Sequence, residues 1–171
     1  GKHGRFMRGG ITRGTFYDDV LHVPLIIKNP NLESKRVKGL VQLIDVMPTL
    51  LDFLNIKTSA KLQGRSLVPL IVDDTQVNER VYAGMLFSPG KENIFFKQPT
   101  RLESIRDSDW KLIREIVFSE QKPYTIEHVS YELYNLKEDP EELNNVYKEN
   151  QANLNQLNSK LLEWLKQIGV D

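Results

Sequence analysis

Most of the side chains that could do chemistry open the chain. Lys2, Arg5, Arg8 and Arg13 fall within residues 1–16, where no acidic residue occurs, and Gly4, Gly9, Gly10 and Gly14 are set among them. A basic, glycine-studded stretch could surround an anion; the same composition also describes a solvated loop. His3 lies in this stretch, and an imidazole that titrates near neutrality suits proton donation to a leaving alkoxide. A loop histidine bonded to a backbone carbonyl is the equal alternative. His22 sits in an apolar run and reads as a hydrogen-bonded structural residue, while His128 takes no role. Three histidines this far apart have no metal-ligand spacing. No cysteine occurs in the 171 residues, which excludes disulfides, thiolate metal sites and a cysteine nucleophile within them.

The length allows one domain with a real core, or a small domain plus part of another. Hydrophobic residues make up 40% and charged residues 27%, with zero net charge. That is ordinary for a soluble globular chain and implies neither nucleic acid nor an anionic membrane as a partner. No apolar run approaches the roughly 18 residues of a membrane span. No secretory signal is visible, and because the chain opens at Gly1 without an initiator Met, the parent's targeting stays unread.

Several elements follow from pattern. Residues 20–27 form a near-continuous apolar run, expected as a strand covered on both faces, at an edge or bulged because Pro24 lacks an N–H. Asp45 is expected to cap a helix that carries Pro48 in its first turn and Leu50, Leu51, Phe53 and Leu54 on its apolar face. Short segments at 81–87, 103–106, 110–114 and 131–134 predict a small antiparallel sheet, with Asp107-Ser108-Asp109 as a hairpin turn. Asp139, Pro140 and Glu142 read as a helix start. Leu154, Leu157, Leu161, Leu165 and Ile168 recur at three- and four-residue steps, which predicts a terminal amphipathic helix.

Strings spread along nearly the whole chain then resemble one family, in order. They are Phe16-Tyr-Asp-Asp-Val-Leu-His-Val-Pro-Leu-Ile-Ile27, Leu43-Ile-Asp-Val-Met-Pro-Thr-Leu-Leu-Asp52, Gln63-Gly-Arg-Ser-Leu67, Trp110-Lys-Leu-Ile113 and the run from Glu132 through Asp139-Pro140 to Asn144. Together they resemble the C-terminal portion of the sulfatases, in the alkaline phosphatase-like superfamily. The resemblance implies an α/β fold: the distal part of an alkaline-phosphatase-like sheet domain, residues 1–80, and a small antiparallel-sheet subdomain packed by a C-terminal helix, residues 81–171.

The resemblance also implies hydrolysis of sulfate esters with a formylglycine, made from Cys or Ser in a Cys/Ser-x-Pro-x-Arg string, beside a divalent cation, usually calcium. This chain has no such string and none of the family's metal motifs, so it is expected to bind no metal and to be inactive alone. Its partners would be the missing N-terminal catalytic portion and a sulfate ester substrate. A periplasmic or extracellular location is favoured by the resemblance only. Arg13 matches the family's basic position four residues before the aromatic of the acidic pair, which implies sulfate binding; His3, in Gly1-Lys-His-Gly4, is the candidate acid. Arg65 is expected to brace backbone carbonyls, and Asp18 and Asp19 to be structural. Whether Arg101, Glu103 and Arg106 face a cleft is open. The alternatives are a phosphonate monoester hydrolase, phosphodiesterase or phosphoglycerol transferase of the same superfamily, and a non-catalytic interaction module.

Overall fold

The computed structural model describes residues 16–87, 98–121 and 124–170. Contacts divide the chain into two compact units. One is Pro24–Val81; the other joins the residues through Val23 to those from Tyr82 onward.

The second unit is built on a four-stranded sheet in the order β1 (Val81–Phe87), β2 (Thr100–Arg106), β3 (Trp110–Phe118), β4 (Ile126–Asn135). β2–β3 and β3–β4 are antiparallel, with Arg106 opposite Lys111 and Leu112 opposite Leu133. The expected turn joins β2 to β3: the Asp107 carboxylate accepts hydrogen bonds from the Asp109 and Trp110 N–H groups. Alternation along each strand divides the side chains between two faces. On one face, Ile105, Leu112 and Leu133 pack under Leu154, Leu157, Leu161 and Leu165 of α4 (Gln151–Gln167), with Trp110 at the margin. On the other, Leu102, Ile113, Tyr134 and Leu136 pack with Phe16 and Tyr17. The leucine spacing therefore forms the expected helix, and both faces are covered.

Glu142 departs from expectation. No helix starts at Asp139, although the Asp139 carboxylate does accept from the Leu143 and Asn144 N–H groups, as a cap would. Glu142 instead adopts a left-handed backbone with φ 54° and turns its side chain inward. A helical φ there would carry that carboxylate away from its buried cationic partner, so the tertiary contact overrides the local signal.

The Pro24–Val81 unit contains a 3-10 turn (Leu43–Asp45), α2 (Val46–Phe53) and α3 (Val68–Asp73). Asp45 is its hub. The buried carboxylate bonds none of the N–H groups of α2, as a capping residue would; it accepts from Gln42 N, Arg65 N and Asn78 Nδ2, at 2.9, 2.9 and 2.7 Å. Gly64 is required beside it, because a Cβ there would lie 2.0 Å from the Ile44 carbonyl oxygen. The Thr49 hydroxyl donates to the Asp45 carbonyl and accepts from Leu67 N. Arg65 donates to the Val77 carbonyl, the bracing role expected of it.

The expected strand at residues 20–27 does not form. Residues Asp18–Leu21 make one helical turn (α1), and the chain beyond carries no ladder. An apolar run becomes a strand only where a neighbour supplies hydrogen bonds and cover, and among the described residues none pairs with it; Ile26 is 89% exposed. The apolar face of α2 is likewise open, with Leu50 and Leu54 exposed.

Candidate functional site

His3 and Arg13, the two residues expected to touch substrate, lie outside the described residues. What the structure does describe is the anchor that follows them, at residues 16–18. Phe16 and Tyr17 are buried against the sheet, and the Tyr17 hydroxyl donates to Glu132 Oε2 at 2.8 Å. The Tyr134 hydroxyl donates to the same oxygen, and the two tyrosine rings meet edge to face with centroids 6.1 Å apart. Burial, reinforced by the neighbouring Glu132 carboxylate, pushes the Tyr134 phenol up, so it stays protonated and remains a donor.

Next along the chain, Asp18 binds two cations. Lys111 Nζ lies 2.7 Å from Asp18 Oδ1, and Arg106 Nη1 lies 2.9 Å from Oδ2. Lys111 also meets Glu142 Oε1 at 2.6 Å, while the Asp18 backbone N–H donates to Glu142 Oε2 at 2.8 Å. Burial raises the Glu142 carboxyl above its ordinary value, and Lys111 pulls it back. Two cations thus face two carboxylates in a buried, charge-balanced cluster. Such a cluster holds backbone in place. Its chemical consequence is positional, because it fixes the chain at Asp18, five residues after Arg13. Asp18 is therefore structural, as expected, and Arg106 belongs to its cluster. Arg101 and Glu103 point from the opposite face of β2. His22 and His128 are both exposed, so the structural role expected of His22 within a strand is not what the fold gives it.

Sequence reasoning passed over Lys111. It lies two residues before Ile113 and opposite Tyr134, so it shares a buried face with both. A lysine in register with two core residues was the available signal. Among the described residues, no three His, Asp or Glu side chains come together as a metal site. With no cysteine in the chain, a cysteine-derived formylglycine has no precursor in it.

Comparison with known proteins places this arrangement. The family described as N-sulphoglucosamine sulphohydrolase, C-terminal, matches residues 1–170. The chain belongs to this sulfatase family. A sulfatase of Formosa agariphila is 31% identical over 91% of the chain and 29% of its own length. An N-acetylglucosamine-6-O-sulfatase of Bacteroides thetaiotaomicron is 26% identical over 86% of the chain and 24% of its own length. Among solved structures, one described in complex with its substrate D-glucosamine-2-N,6-O-disulfate superposes with a TM-score of 0.54 at 26% identity, over 72% of the chain and 23% of that structure. The phosphonate monoester hydrolase of Agrobacterium radiobacter, at 23% identity and a TM-score of 0.51 over 72% and 24%, shares the fold. The sulfatase C-terminal region seen here thus spans about a quarter of the length of these relatives.

Proposed function

We propose that the protein hydrolyses sulfate esters, and that this chain is the distal, C-terminal portion of the enzyme. The observation that carries this reading is the sulfatase-family match over residues 1–170. In it, the formylglycine and the calcium ion beside it reside in the N-terminal catalytic portion, a reading supported by the lack of a Cys/Ser-x-Pro-x-Arg string in these 171 residues. Arg13 binds the substrate sulfate. A guanidinium can hold two oxygens at once, and a charge-assisted hydrogen bond contributes about 1.5–3 kcal/mol. Arg13 is no proton donor, because a guanidinium keeps its proton throughout the working pH range; His3 is the candidate acid for the leaving group. The anchored Tyr17 and Asp18 support this assignment by fixing the end of the segment that carries both.

The catalytic portion is also the partner of this chain. Within Pro24–Val81, Leu43, Met47 and Leu54 are 72%, 57% and 65% exposed, apolar surface available for that portion to cover.

Turnover of a chromogenic aryl sulfate tests both parts. The intact polypeptide should hydrolyse it, and the 171-residue chain alone should not; turnover by the chain alone would sink the division of labour. In the intact enzyme, Arg13→Ala should raise KM or lower kcat by at least about tenfold. Wild-type kinetics in that variant would place Arg13 outside the site.

A further inference from the structure

Only Gly14 and Thr15 separate Arg13 from Phe16. Three Cα-to-Cα steps of about 3.8 Å cover at most about 11 Å, so whatever fixes the chain at Phe16 limits where the guanidinium can go. We infer that Glu132 is a positioning residue for this arginine, acting through the Tyr17 hydroxyl. The inference rests on Arg13 binding the substrate sulfate, and it names what holds that residue in register.

Three observations lead there. The first is how residues 16–18 are held. Phe16 is buried in the apolar cluster of Leu102, Ile113 and Leu136. The Tyr17 hydroxyl donates to Glu132 of β4 at 2.8 Å, across 115 positions of sequence. Asp18 is gripped by Arg106 of β2, Lys111 of β3 and the carboxylate of Glu142. Consecutive residues are thus fastened to different parts of the sheet unit, which fixes the direction of the chain as well as its place.

The second is the chemistry of the middle fastening. Glu132 and Tyr134 stand two apart on β4 and share a face. Tyr17 and Tyr134 both donate to one oxygen of this carboxylate, which is 7% exposed. Burying a carboxylate costs free energy that apolar packing, as at Phe16, does not incur. If the chain end needed only to be buried, a phenylalanine and a leucine would meet the need. A hydrogen bond adds direction, because it weakens steeply away from linearity. It therefore sets the rotation of the chain about the buried Phe16 ring.

The third is the stiffness of the acceptor. Glu132 lies within β4, opposite Ile113 of β3, so the sheet ladder holds its backbone. Tyr134 fixes the oxygen that Tyr17 uses, and its ring meets the Tyr17 ring edge to face, with centroids 6.1 Å apart. A fully bonded buried network of this kind specifies one arrangement. Substrate-binding groups need that, since a displacement of about 1 Å can cost about a hundredfold in rate.

Steady-state kinetics of the intact polypeptide on a chromogenic aryl sulfate, with unfolding midpoints measured alongside, test this. Tyr17→Phe should lower kcat/KM about tenfold, through whichever of KM or kcat Arg13→Ala changes. The triple variant Tyr17→Phe, Tyr134→Phe, Glu132→Leu removes donors and acceptor together. It should keep an unfolding midpoint near the wild-type value and lose kcat/KM at least about tenfold. In the Arg13→Ala background, Tyr17→Phe should remove less than about twofold more, because the group it positions is gone. Leu161→Ala loosens the same unit without touching this network. Assayed where it is folded, it should change kcat/KM less than about twofold. The inference is overturned if Tyr17→Phe or the folded triple variant stays within about twofold of wild type, if Tyr17→Phe acts equally with and without Arg13, or if Leu161→Ala costs as much. Wild-type kinetics in Arg13→Ala would remove the arginine from the site, and this inference with it.

Discussion

At the residue scale, Lys111 concentrates the electrostatics of the sheet unit. It is 1% exposed, between the carboxylates of Asp18 and Glu142. Replacing Lys111 removes the buried cation that Asp18 and Glu142 share, with Asp18 keeping only Arg106, so Lys111→Met should cost about 3–5 kcal/mol, read as a fall in the urea midpoint. A loss under about 1 kcal/mol would mean that the cluster is solvated in solution. Glu142 adds a pH dependence of defined sign. Its carboxyl is raised above the ordinary 4.5, chiefly by burial, so the folded chain holds that proton more tightly than the unfolded chain. The resulting stability is full below the unfolded value and is lost as pH rises through the folded one. The stability of the wild type relative to Glu142→Gln should therefore decline from about pH 4 towards neutrality. A difference that is flat or grows with pH contradicts the burial account.

At the element scale, α4 carries the sheet's apolar cover. Leu161 is fully buried and Leu162 beside it is 46% exposed. Leu161→Ala should cost about 2–5 kcal/mol and Leu162→Ala less than about 0.5 kcal/mol in chemical unfolding. Equal losses would show that the helix does not dock as described. The elements legible in the sequence were those whose pattern is self-sufficient: the leucine steps of α4, the strand segments of the sheet, and the Asp107 turn. Residues 20–27 misled because an apolar run states that cover is needed without saying whether it is present. Asp139-Pro140 misled because Glu142 is claimed by Lys111, a contact that no local window contains. In the candidate site, the structural part of Asp18 was readable, while the pairing of Glu103 with Arg114 required the register of β2 on β3.

At the scale of the molecule, the two units are stabilised differently. The sheet unit is covered on both faces by apolar side chains, whereas Pro24–Val81 is organised around the buried Asp45 carboxylate and leaves apolar side chains exposed. The turnover test belongs to this scale, because it asks whether chemistry needs more polypeptide than these 171 residues. The sheet unit is also discontinuous, and that bears on its synthesis. The bond from Asp18 N to Glu142 Oε2 spans 124 positions, and the whole Pro24–Val81 unit lies between its ends. On a ribosome adding about 5–20 residues per second, Asp18 emerges roughly 6–25 s before the glutamate that receives it. During that interval the Pro24–Val81 unit can fold in order of emergence, while the segment that follows Arg13 waits for its dock.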